Sequence, residues 1–179
     1  PTYAKGTLFV AFAVSDNLIP GGLVAAFDGV TGRAKWVFRT IPQGPQDDGW
    51  ELTKDTWSAP QRYGGGIWTQ PAVDPVLNTV YVNVSNPSPN YDGSSRKGAN
   101  LFTNAIVALD ATTGKLKWHF QAIHHDIWDW DLMTGPTLFD VTIDGKPVKA
   151  LGSLAKTCYV YALDRATGKP LFPVLETPV

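Results

Sequence analysis

The chain has 179 residues, 44% hydrophobic and 17% charged, which provides for a buried core and excludes a disordered polymer. Its 15 Lys and Arg against 16 Asp and Glu give a formal net charge of −1 with no basic run, which argues against a nucleic-acid partner. The longest apolar run, Leu8 to Val14, is too short for a membrane-spanning helix, and Cys158 as sole cysteine excludes an internal disulfide.

Amphipathic helical periodicity is nearly absent, while 7 Trp, 17 Gly and 14 Pro signal short strands and many turns. The chain begins at Pro1 with no signal peptide and is expected to be a piece of a longer protein. The first clear element is the apolar strand Leu23 to Phe27, then Asp28-Gly-Val-Thr-Gly32 and a second strand reaching Trp36. Asp and Thr side chains bond a turn's own backbone and Gly supplies positive φ, so this reads as a hairpin. Thr40 to Gly66 is a long polar connection. Trp68 to Asp74 and then Thr79 to Val84 are expected to form a further unit. A second polar segment runs from Ser85 to Asn100. Long loops on a repeat scaffold commonly build its functional face.

The hairpin pattern returns at Ala105 to Asp110, Thr113-Gly114 and Trp118. The run His124 to Asp131 then gathers two imidazoles, two indoles and the carboxylates of Asp126, Asp129 and Asp131. Carboxylates among tryptophans are costly to desolvate unless a cation meets them. If the stretch is extended, Asp129 and Asp131 project to one side, implying a cation or a shared proton. Asp126 reads as a structural, loop-bonding residue, and the adjacent histidines point apart and make poor co-ligands. The bland alternative is an Asp-rich turn with tryptophans packed behind it. Another hairpin is expected at Leu138 to Val148, turning at Asp144-Gly145. The third copy of the pattern runs from Tyr159 through Asp164, Thr167-Gly168 and Phe172. Short strands in units of roughly 40 residues point to an all-β fold, a β-propeller, with a sandwich as the structural alternative. A few blades cannot close a ring.

Gly64-Gly65-Gly66-Ile67-Trp68, Asn86-Pro87-Ser88-Pro89, Arg96-Lys97-Gly98-Ala99-Asn100-Leu101 and His125-Asp126-Ile127-Trp128-Asp129 occur in that order. In these motifs and their spacing the whole chain resembles the pyrroloquinoline quinone (PQQ) dependent dehydrogenases. Those are eight-bladed quinoprotein propellers that oxidise alcohols or aldoses. The resemblance implies that residues 1–179 are part of one PQQ-binding propeller domain, about half of its blades. It puts Trp68 under the flat quinone, with backbone at Gly66 approaching closely. It makes Asn86 an amide ligand to Ca²⁺, Asp129 the base that takes the hydroxyl proton and a metal neighbour, and Lys156 the cation beside the quinone carbonyls. Asp131 would be an additional ligand, and an acid two residues after the base leaves a lanthanide as the alternative to Ca²⁺.

The remaining metal ligand falls at Asp16 or Asn17, where methanol-type enzymes carry Glu. The Ser-Asp-Asn version resembles the membrane-bound glucose dehydrogenase branch and shifts the expected substrate toward sugars or polyols. The resemblance further implies a periplasmic location and electron transfer to cytochrome c or ubiquinone. Membrane association would come through regions outside this chain, and the segment alone is expected to be inactive. Two alternatives follow from the same repeat: a non-catalytic propeller scaffold that binds proteins, and a propeller that has lost catalysis at the altered Glu position.

Overall fold

The three Asp-x-x-Thr-Gly stretches fold through their own side chains. Asp28 Oδ1 accepts the N–H groups of Val30 and Thr31, at 3.1 and 2.9 Å, and the Thr31 hydroxyl at 2.9 Å. Asp110 Oδ1 does the same for Thr112 and Thr113, and Asp164 Oδ1 for Ala166 and Thr167. The glycine ending each turn sits at a φ of +70° (Gly32), +73° (Gly114) or +75° (Gly168). Its N–H returns to the carbonyl of that aspartate. Side-chain acceptor and left-handed glycine together satisfy the turn backbone.

A computed structural model describes residues 1–13 and 18–176. Its strands are β1 (Thr2–Ala4), β2 (Thr7–Phe12), β3 (Leu23–Asp28), β4 (Ala34–Arg39), β5 (Tyr63–Gly64), β6 (Ala72–Asp74), β7 (Thr79–Asn83), β8 (Pro87–Ser88), β9 (Ala105–Asp110), β10 (Leu116–Gln121), β11 (Thr137–Ile143), β12 (Lys146–Leu154) and β13 (Val160–Asp164). A single helical turn, α1 (Trp50–Thr53), lies in the first long connection. The strands form antiparallel meanders: β1-β2-β3-β4, then β6-β7-β9-β10, then β11-β12-β13, with β5 and β8 as a separate small pair. An isolated bridge from Leu163 to Pro170 extends the third sheet. These are successive blades of a propeller, and the sandwich alternative falls away.

Trp68 to Val84 is not a unit of its own. Strands β6 and β7 are the first half of the second sheet, and β7 pairs with β9 from Thr79↔Asp110 to Asn83↔Ile106. The Asp-Thr-Gly hairpin therefore marks the third-to-fourth strand turn of each blade, while the first hairpin carries no such motif. The hairpin expected at Leu138 to Val148 is present as β11-β12, and it is the first hairpin of the third sheet. Its turn residues Asp144 and Gly145 both have positive φ, +51° and +75°, as a two-residue hairpin turn of matching twist requires.

Between blades the closing aromatics dock on the next blade's turn. A Cβ added at Gly114 would stand 2.6 Å from the Trp36 ring, and one at Gly168 would stand 2.6 Å from the Trp118 ring. Trp36 Nε1 also donates to Ala111 O across the interface at 3.1 Å. At the next interface Tyr81 Oη makes the corresponding crossing bond, to Arg165 O at 2.8 Å. One apolar core of Phe9, Val24, Phe38, Val80, Val82 and Val107 joins the first two blades. A second, with Tyr81, Ile106, Leu132, Leu151 and Leu163, joins the second and third. Each such side chain contributes roughly 1.5–3 kcal/mol when fully buried. The Arg165 guanidinium pins the latter interface, with Nε 2.7 Å from Asp74 Oδ2 and Nη1 2.8 Å from Asp140 Oδ1.

Candidate active site

The glycine run Gly64–Gly66 lies against Ser85–Pro87 at backbone distance. Gly65 N–H donates to Asn86 O at 2.9 Å and Ser85 N–H to Gly66 O at 2.8 Å. A Cβ at Gly64 would meet Asn86 O at 2.5 Å, so no larger residue fits there. This pairing fixes Trp68, which follows the run, and Asn86 relative to each other. The chain then places the remaining groups from a distant part of the sequence. Lys156 N–H donates to Asp131 O at 2.9 Å, next to the bridge between Leu132 and Ala155.

The result is an open pocket of about 260 Å³. Gly66, Trp68, Asn86, Asp129, Asp131 and Lys156 all line it, together with Ala13 and Ser85, which the sequence did not single out. Trp68 is 51% exposed, so much of a flat apolar surface is available to a ligand. Asp16 and Asn17 lie outside the described residues.

Two carboxylates converge on one ammonium. Lys156 Nζ stands 2.8 Å from Asp129 Oδ2 and 2.9 Å from Asp131 Oδ2. The burial of Asp131 pushes its pKa up against the opposing pull of Lys156 and of the Asn86 N–H. For Lys156 burial works against the charge, but the hydrogen bonds to Asp129 and Asp131 prevail and raise its pKa. The ammonium is therefore held protonated across the ordinary pH range.

The meeting of Asp129 and Asp131 does not come from an extended chain. Asp129 has φ +62°, a left-handed conformation costing on the order of 1–2 kcal/mol for a residue with a Cβ. Period-two reasoning does not apply through such a residue. Asp126 supplies the compensating bonds: Oδ1 accepts Trp128 N–H at 2.9 Å and Oδ2 accepts Trp130 N–H at 2.8 Å. The flanking indoles stack on each other, with centroids 4.9 Å apart and planes 19° apart. The histidines diverge: His124 Nδ1 meets Glu176 Oε1 at 2.7 Å, and His125 Nδ1 lies 2.8 Å from Gly98 O.

The donor chemistry fits a hard cation. Asn86 Nδ2 donates to Pro87 O at 3.1 Å, and neither Asn86 Oδ1 nor Asp129 Oδ1 takes a hydrogen bond from the described residues. Oxygen donors of this kind suit Ca²⁺. Asp131 is differently engaged, with Oδ1 on Asn86 N–H at 2.7 Å and Oδ2 on Lys156. Among the described residues no three His, Cys, Asp or Glu side chains form a metal cage by themselves. A cation here would need the amide oxygen and further donors.

The family model described as PQQ, glucose/ethanol/alcohol dehydrogenase, beta-propeller domain, matches residues 1–179. The quinate/shikimate dehydrogenase (quinone) of Acinetobacter baylyi is 37% identical, over 100% of this chain and 22% of its own length. A quinoprotein glucose dehydrogenase of Gluconobacter oxydans is 39% identical over the same shares. Among solved structures, the quinohemoprotein alcohol dehydrogenase ADHIIG of Pseudomonas putida HK5 superposes with a TM-score of 0.87 at 34% identity, covering 96% of this chain and 26% of that one. The chain thus spans about a fifth of the length of the curated relatives it matches. With the blades, the docked tryptophans and the pocket in place, the chain belongs to the PQQ-dependent glucose/ethanol/alcohol dehydrogenase β-propeller family.

Proposed function

We propose that the protein containing this chain is a PQQ- and metal-dependent dehydrogenase that oxidises a CH–OH group of an alcohol, polyol or aldose. The observation that carries this reading is the pocket itself. It brings Trp68, Asn86, the Asp129–Asp131 stretch and Lys156 together, although they lie far apart in sequence. A propeller serving only as a protein-binding scaffold has no need of that convergence.

When bound, the quinone would supply the two-electron acceptor and the metal a Lewis acid to polarise it. Trp68 would offer its exposed face to the flat ring, and Lys156 would place a fixed positive charge beside it. Asn86 and Asp129 would hold the metal, with Asp16 or Asn17 as the further ligand outside the described residues. The Asp129 carboxylate would also accept the substrate's hydroxyl proton. Asp131 holds Lys156 and the Asn86 backbone in place, and serving as a metal ligand would require exchanging one of those partners. This favours Ca²⁺, with a lanthanide as the alternative occupant. Cytochrome c or ubiquinone would take the electrons, and the relatives' chemistry suits the periplasm.

The test uses the full-length protein. PQQ is titrated with Ca²⁺ or La³⁺ while tryptophan fluorescence is followed, and dye-linked oxidation is then measured across alcohols, polyols and aldoses. The proposal expects metal-dependent quenching, lost in Trp68→Ala, and quinone-dependent dye reduction. No spectral or stability change with PQQ and either metal would favour the scaffold.

A further inference from the structure

Behind the pocket lies a polar network that the proposed chemistry does not use directly. Asp126 and Arg96 are each 1% exposed, and Asn100 and Asn104 are fully buried. Buried groups of this kind persist chiefly through their hydrogen bonds; Asn104 Oδ1 has no partner among the described residues, and the bonds the network does make point to one place. The Asp126 carboxylate holds the N–H groups of Trp128 and Trp130, the residues immediately before and after Asp129. Its Oδ2 also accepts Asn104 Nδ2 at 2.7 Å. Arg96 Nη2 donates to the Asp126 carbonyl at 2.6 Å and also to Pro89 O and Asn90 O, while Nε donates to Pro89 O and Nη1 to Asn100 Oδ1.

We propose that Asp126, anchored by Asn104 and Arg96, is the positioning residue that fixes the left-handed backbone of Asp129 and aims its carboxylate into the pocket. This rests on the reading of Asp129 as the base. An isolated Asp at φ +62° would relax toward a more populated region. A carboxylate that grips both neighbouring amides leaves the intervening residue little freedom. Asn cannot replace it: an amide accepts through its oxygen alone and turns Nδ2 toward another N–H donor.

Asp126→Asn and Asn104→Gly are made in the full-length protein. Glycine keeps the positive φ of Asn104, +48°, while removing its amide. Both variants are expected to lose roughly 10- to 100-fold in kcat with KM nearly unchanged, the signature of a misplaced group rather than lost binding. In both, the Trp128 and Trp130 amides should exchange faster while those of β9 keep their protection. Lost protection at these amides with full kcat overturns the proposal, as does reduced kcat with protection intact. If Asp126→Asn does not fold, Asn104→Gly carries the same comparison. A wild-type protein without quinone-linked turnover defeats the functional reading instead. Acylation of Lys156 Nζ then reports where Asp129 sits: faster reaction in the variants supports the positioning role, and an unchanged rate overturns it.

Discussion

Replacing Gly114 by Ala should destabilise the interface between the first and second blades in a way that two contributions explain. The residue sits at φ +73°, which costs a residue with a Cβ about 1–2 kcal/mol, offset by about 0.4–1 kcal/mol from the stiffer unfolded chain. The new Cβ would also stand 2.6, 2.7 and 2.9 Å from three atoms of the Trp36 indole. That indole cannot simply retreat, because Nε1 is bonded to Ala111 O and its ring packs 6.0 Å from Phe9. Overpacking of this kind costs roughly 1–3 kcal/mol, so the total is about 1–4.6 kcal/mol. Gly145 is the internal control, at φ +75° with nothing within 4 Å of the added Cβ. Its substitution should cost about 1.6 kcal/mol or less. Denaturant midpoints of the full-length variants measure both, and a Trp36→Leu background should remove most of the excess at Gly114. Equal costs at Gly114 and Gly145, or no coupling to Trp36, would refute the docking argument.

Two further outcomes follow from the interfaces and turns. Arg165→Met should cost about 3 kcal/mol, the low end for breaking a buried pair, because Asp74 keeps the N–H groups of Val76 and Leu77; adding Asp74→Asn should recover part of that loss in a double-mutant cycle. Hydrogen bonds from Thr31 and Val30 lower the Asp28 pKa from 3.8 to about 2. Its stabilising effect is therefore present above the unfolded value and lost as pH falls through the folded one. The stability advantage of wild type over Asp28→Ala should persist at about pH 5 and vanish toward pH 2 in chemical denaturation.

The turns were readable because their chemistry is local: Asp28, Thr31 and Gly32 satisfy one another within five residues. So was Asp144-Gly145. The partnership of β7 with β9 was not readable, since the insertion from Ser85 to Asn104 separates the strands and only their register unites them. At the site, Trp68, Asn86, Asp129, Asp131 and Lys156 were each singled out from sequence, and they line one pocket. The left-handed backbone of Asp129 was hidden, because the bonds around it run through Asp126 to Arg96 and Asn104, 30 and 22 residues away in the chain. Arg96 entered the sequence reading only as part of a motif, with no role of its own; the Asn and Gly near it, at positions that adopt positive φ, were the available sign of a tightly folded segment.

The most direct measurement is dye-linked turnover of the full-length Asp129→Asn protein, loaded with PQQ and Ca²⁺ and checked for quinone binding by tryptophan quenching. The account predicts retained quinone binding with kcat reduced by roughly 10²- to 10⁴-fold, the range for losing a positioned general base. Full turnover in that variant would contradict it.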